Sequence, residues 1–190
     1  MYPAVSGLIL ALTLVYLGSH AVQSNWSYFT AYRFLWTPKT IGISLAVVGL
    51  LVAFVQAGLI RVITPRIGNE RCIYLGLLLY AIGMFLFAMA TQSWMMFAFL
   101  IPYCLGGIAG PALQATISGH VPPNMQGELQ GSLTSLMSLT SIIGPLIMTN
   151  LFAYFTTVKA PLLFPGAPFV LGGLLMLASS IVAYKSLRQT

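Results

Sequence analysis

Apolar runs of about 20 residues follow one another from one end of this chain to the other, and no other feature limits its fold so strongly. A helix rises about 1.5 Å per residue, so each run covers about 30 Å, the thickness of a bilayer's hydrocarbon core. Composition closes off the soluble alternative. Charged residues are 5% of 190 positions and hydrophobic residues 58%, against about 25% charged in ordinary soluble domains. Asp does not occur, and Glu70 and Glu128 are the only acids. A transmembrane barrel would show short alternating segments instead of long unbroken runs. The chain reads as an all-α polytopic membrane protein whose first partner is the lipid bilayer.

Apolar runs and their breakers predict six spans, over residues 4–27, 38–60, 72–90, 94–118, 125–155 and 169–184, in one membrane domain covering 1–190. Thr37-Pro38 supplies an N-cap and a proline at the first helical position. Pro65 and Gly68 interrupt the chain between the second and third spans, and Pro122-Pro123-Asn124 between the fourth and fifth. Ser93 and Asn124 are the expected caps of the spans that follow them. The first apolar stretch lacks a basic leader and outruns a signal peptide's core, so it counts as a span.

Six spans bring both termini to one side. Arg61, Arg66, Arg71, Lys185 and Arg188 fall on that side, and Arg33, Lys39 and Lys159 on the other. The bias favours a cytoplasmic location for the termini. The net charge of +6 is therefore topological, and its scatter over several turns argues against nucleic-acid binding. Trp26, Trp36 and Trp94 are expected as interfacial anchors at the outer ends. Cys72 and Cys104 have no metal or disulfide spacing. Without Asp there is no Ser-His-Asp set, so neither an enzyme nor a metal or other cofactor is expected.

The stretch QGELQGSLTSLMSLTSIIGPL, residues 126–146, is unusually polar for a span. On a helix, Gly127, Gly131, Ser135 and Ser138 fall in one row, and the fourth span offers Gly106, Gly107 and Gly110 as a matching surface. Small residues let membrane helices approach closely, and hydroxyls bond across the contact. One reading is a packing seam and nothing more. The other has Ser135 and Ser138 lining a polar path, with Gly144-Pro145 loosening the helix so that it can bend.

Residues 110–146, GPALQATISGHVPPNMQGELQGSLTSLMSLTSIIGPL, resemble a stretch in the carboxyl half of the tetracycline/proton antiporters, in the drug/proton antiporter branch of the major facilitator superfamily. KTIGISLAVVGLLVAFVQA (39–57) and RIGNERCIYLGLLLYAIG (66–83) resemble two further family stretches. The resemblance covers residues 20–155 and implies a major-facilitator-like half: six helices of a twelve-helix transporter, without the amino-terminal half. It also implies a bacterial inner membrane and a role in drug efflux. The departures concern charge. Where the family carries an intramembrane Asp, this chain has Tyr80; where it often has His, Val52; where acids precede an Arg-Phe pair, Ala31 and Tyr32. Those losses argue against tetracycline itself as the substrate.

Ionisable groups inside a membrane are functional candidates by default. His20 is the one well inside a span, either as a proton relay or as a neutral, hydrogen-bonded ring; the family's Gln at about this point favours a polar cavity position. Gln56 and Gln114 are either interhelical bonds or substrate contacts, and Gln23 and Asn25 are similar. The family architecture puts Tyr80 on a peripheral span, as packing. Glu128, in the first turn of the fifth span, is expected to face Arg61, Arg66 or Arg71 as a charge latch. The expected function is proton-coupled efflux of a small hydrophobic or amphipathic compound by alternating access. A missing amino-terminal half or a second copy would complete the transporter, and the proton carrier would sit outside this chain. Two rivals remain: a remnant half that transports nothing, and a membrane scaffold.

Overall fold

A computed structural model of the chain describes residues 3–157 and 160–188, with side chains from residue 5 onward. Lys159, counted above in the charge bias, lies outside the described residues. The helices are α1 (Pro3–Phe34), α2 (Pro38–Phe54), α3 (Ile60–Ile67), α4 (Asn69–Met89), α5 (Ser93–Gly106), α6 (Ala109–Gly119), α7 (Gln126–Thr156) and α8 (Ala167–Leu187). A π-helical turn, Val55–Leu59, fuses α2 to α3, and a 3-10 turn, Pro123–Met125, opens α7. Among the described residues, six helical spans are long and apolar enough to cross a membrane.

Local chemistry explains the breaks. Leu35 takes a positive φ of 55° and ends α1. The Thr37 side chain then accepts from the Thr40 amide, and Pro38 starts α2 as the sequence predicts. Pro65 does not end the second span. It sits inside α3, and the stop comes three residues later at Gly68, with φ 82°. Pro65 offers no N–H to the Arg61 carbonyl, yet its fixed φ fits the helix and the chain stays helical to Ile67. Ser93 opens α5 without capping it, because its hydroxyl accepts the Trp36 indole N–H. Asn124 lies within the 3-10 turn, and α7 has no side-chain cap.

The Gly131–Ser135–Ser138 row carries no close packing, although Gly144 on the same helix and Gly106 on the fourth span meet their neighbours closely. The contact between α1 and α8 is built from small residues. A Cβ on Gly18 would lie 3.2 Å from the Gly172 carbonyl oxygen, and one on Gly172 would lie 2.9 Å from the Ala21 Cβ. In the same contact, Ser179 donates to the Ala11 carbonyl at 2.8 Å. Against α4, Gly106 meets the Tyr80 backbone, and on α4 itself Gly76 meets Ala109 and Gly83 meets Tyr103. An aromatic cluster closes the end remote from the termini: Phe29 packs edge-on to Phe169 and Trp26 edge-on to Phe87.

The second and fifth spans are bare by comparison. Their most apolar windows are 11% and 17% buried, against 44–56% in the other four. Ser44 is the one residue of α2 classed as buried, and it accepts the Trp26 indole N–H at 2.9 Å. Helix α7 touches the bundle through Leu129, Leu133, Thr140, Gly144 and Met148. Its row of Gly131, Ser135 and Ser138 points away, with open space beyond Gly127 and Gly131. Trp26 and Trp36 are buried and each donates a hydrogen bond within the bundle, to Ser44 and to Ser93; Trp94 is exposed.

Candidate functional site

A cavity of about 500 Å³ opens between α1, the second span, α4 and the broken fourth span. Helix α1 contributes Tyr16, Ser19 and Gln23 beside Val15. Steps of three and four residues put those polar groups on one side of the helix. The second span adds Val48, Val52, Val55 and Gln56. Gln56 belongs to the π-helical turn, a local widening that often accompanies functional positions. Tyr80 enters from α4.

The fourth span divides where Gly107 and Ile108 bond back only three residues, to Cys104 and Leu105. Gly107, Gly110, Pro111 and Gln114 form the cavity wall at and just after this break. Pro111 has no N–H to offer the Gly107 carbonyl, so the α-helical bond pattern cannot be complete at the wall. Beyond Gly110 an added Cβ would meet no other helix within 4 Å among the described residues.

Gln114 donates to the Tyr16 hydroxyl at 2.8 Å, joining α6 to α1 across the cavity. Gln23 donates to Ser19 at 3.2 Å. Tyr80 and Tyr103 stack edge to face at 4.9 Å. The lining mixes amide and hydroxyl groups with valine and tyrosine surface and includes no charged residue. Pockets of a few hundred Å³ with few polar groups in an apolar wall suit small organic ligands.

The residues singled out by sequence divide into groups. Gln23, Gln56 and Gln114 line this cavity, while His20, Asn25, Ser135 and Ser138 are not in its wall. His20 is wedged against α7, where a Cβ on Gly144 would fall 2.4 Å from its Cδ2. Asn25 is fully buried: its amide donates to the Ala21 carbonyl at 3.2 Å, and its Oδ1 has no partner among the described residues. Ser135 is exposed and bonds the Gly131 carbonyl in its own helix. Of the expected packing residues, Gly106 and Gly144 meet neighbours closely, Gly131 faces open space, and Gly107 and Gly110 border the cavity. Pro145 lies inside a continuous α7. Tyr16, Ser19 and Tyr103 had not been singled out, although the Tyr16–Ser19–Gln23 spacing marks a polar face on α1.

The face that carries the termini holds two hollows with charged residues in their linings. Arg66, Glu70 and Arg71 line one of about 760 Å³, while Glu128 lines another of about 490 Å³ with Val5 and Met125. His120 borders both, with Nδ1 2.7 Å from the Thr116 carbonyl. Arg61 is exposed and lines neither. Among the described residues no ion pair joins Glu128 to the arginines. The connection through Pro122 and Pro123 turns the start of α7 toward Val5 instead.

The tetracycline resistance protein, class C, of Escherichia coli is 42% identical over 149 residues, 78% of this chain and 38% of that protein. The class H protein of Pasteurella multocida is 35% identical over 165 residues, 87% and 40% of the two chains. The crystal structure of the human organic anion transporter MFSD10 (TETRAN) matches 94% of this chain with a TM-score of 0.80 at 21% identity, and the match takes in 40% of that chain. The chain therefore spans about two fifths of the length of the relatives it matches. A family model described as Major Facilitator Superfamily matches residues 7–188. Six apolar helical spans, a half-transporter's size and that match agree, and the chain belongs to the Major Facilitator Superfamily.

Proposed function

We propose that this chain forms one half, the carboxyl-terminal one, of an alternating-access transporter that exports a small amphipathic organic compound. The observation that carries the reading is the uncharged cavity in which Gln114 reaches Tyr16 across two helices, with Gln23, Gln56 and Ser19 on the same wall. Such a wall offers hydrogen bonds in several directions while its valines and tyrosines take apolar surface. A buried ion would find no counter-charge there, so the compound meets this half with its neutral part.

The bare faces of the second and fifth spans support a second six-helix body across the cavity. Gln56 on one and Ser135 and Ser138 on the other would complete the polar lining from this side. Coupling to protons belongs to that other body, since the cavity wall here holds no carboxylate. The relatives' printed names concern tetracycline resistance. The substrate proposed here is of the same broad kind, with tetracycline itself disfavoured by Tyr80 and Val52.

The test pairs the chain with the amino-terminal six helices of the class C tetracycline resistance protein in inverted membrane vesicles. Accumulation of a panel of amphipathic dyes and antibiotics is followed under a proton gradient. Uptake that needs both halves and falls about tenfold in Gln114→Leu is expected. Uptake by the chain alone, or uptake indifferent to both Gln114→Leu and Gln56→Leu, would contradict the proposal.

A further inference from the structure

The hollow on the terminal face that holds Arg66 and Arg71 takes no part in the cavity, yet its chemistry is specific. Arg66 and Arg71 line it from α3 and α4, together with one carboxylate, Glu70. The positive end of α4 opens onto the same space, because its N-cap is Gly68 and no side chain caps its first amides. Gly68 and Gly119 border the hollow with nothing within 4 Å of an added Cβ, so about 760 Å³ stays open. Asn69 and Thr116 add uncharged polar groups. Arginines beside free helix amides form an arrangement that recognises phosphate.

What lies beneath the arginines decides which phosphate. Leu75, Leu78 and Ile82 follow Arg71 on α4 at steps of four, three and four residues, so all share its side of the helix. All three are exposed, at 48%, 48% and 40%. On the other wall Val62 stands one turn before Arg66 and is half exposed. An apolar track thus leads from the basic hollow down the length of the span. A soluble phosphate would use only the hollow, whereas a phospholipid would use hollow and track together.

We infer that the Arg66–Arg71 hollow binds the headgroup of an anionic phospholipid, with an acyl chain lying along Leu75, Leu78 and Ile82. Basic pockets between helices at a membrane surface favour anionic headgroups over zwitterionic ones. The site would seat a lipid against the hinge-like Gly68 connection between the second and third spans.

The purified full chain in a non-ionic detergent provides the test. It is titrated separately with phosphatidylglycerol, phosphatidylcholine and inorganic phosphate, and read by native mass spectrometry and by thermal unfolding. Phosphatidylglycerol should be retained roughly tenfold better than phosphatidylcholine and should raise Tm, while inorganic phosphate does neither. The double variant Arg66→Gln/Arg71→Gln should lose that preference, and Arg61→Gln, on the same face but outside the hollow, should keep it. Each single variant is measured alongside, so the comparison survives a double variant that fails to fold. Equal retention of the two lipids, or an undiminished preference in the arginine variants, would overturn the inference. A Tm rise reproduced by inorganic phosphate would overturn it too, by assigning the hollow to a soluble anion.

Discussion

Gly144 on α7 and the imidazole of His20 on α1 share one space: a Cβ built on Gly144 would stand 2.4 Å from His20 Cδ2 and 2.6 Å from Cγ. The ring can lie between the helices only because α7 presents no side chain there. Helix α7 has few other buried positions, so this contact is one of its main attachments to the bundle.

Gly144→Ala should therefore destabilise the chain by about 1–3 kcal/mol, the usual cost of overpacking. Gly131→Ala, facing open space, should be neutral or stabilising by up to about 1 kcal/mol through helix propensity. Thermal unfolding in detergent separates the two. Replacing His20 by Ala should relieve much of the Gly144→Ala cost but not all of it, because the Cβ kept at position 20 still lies 2.9 Å from the added one; no relief at all would place the clash elsewhere.

The Gln114–Tyr16 bond can be isolated by a double-mutant cycle of Gln114→Leu and Tyr16→Phe. A coupling of about 0.5–1.5 kcal/mol is expected for one neutral hydrogen bond. In the paired-half vesicles both single variants should lower transport at unchanged protein level. A zero coupling energy would mean that the bond is not formed in the membrane.

Ser179→Ala removes the hydroxyl that donates to the Ala11 carbonyl between α8 and α1. Interhelical bonds of this kind are worth about 0.5–2 kcal/mol, and a loss in that range should appear in unfolding titrations. Ser135→Ala, whose hydroxyl serves its own helix, should lose nothing in the isolated chain.

Trp26 fastens α2 through Ser44. Ser44→Ala leaves the buried Trp26 indole N–H without its acceptor, and the loss of about 1–3 kcal/mol should raise hydrogen exchange of α2 amides more than that of the other helices. Such a split is expected where one element is weakly attached to a stable body. Uniform exchange across all helices would count against it.

How much of this was legible beforehand follows from which forces act locally. Span number and the Thr37-Pro38 start are set by hydropathy and by one cap, so the chain alone announces them. Pro65 marks a lost helix bond and not the helix's end, since its φ is helical, whereas Gly68 breaks the chain by adopting a positive φ. The hydroxyl row of α7 was visible as a row, but not its direction. Gly131 and Gly144 are the same residue type on the same helix, and only the neighbouring helices decide which one is packed. The polar residues of α1 show the same limit. Gln23 reaches the cavity and Asn25, two residues on, is buried. The π-helical turn left no mark in the apolar pattern, since Val55 and Leu59 fit an α-helix equally well.

That turn has a geometric consequence. Each residue of an α-helix advances the azimuth by about 100°, and the wider loop at Val55–Leu59 offsets the phase between the two ends of the second span. The upstream end directs Ser44 inward, and the downstream end directs Arg66 into its hollow. Deleting a single residue between 55 and 59 would swing everything after it by roughly a quarter-turn. The bulge acts as a vernier that sets the bearing of a basic terminus independently of the apolar shaft above it.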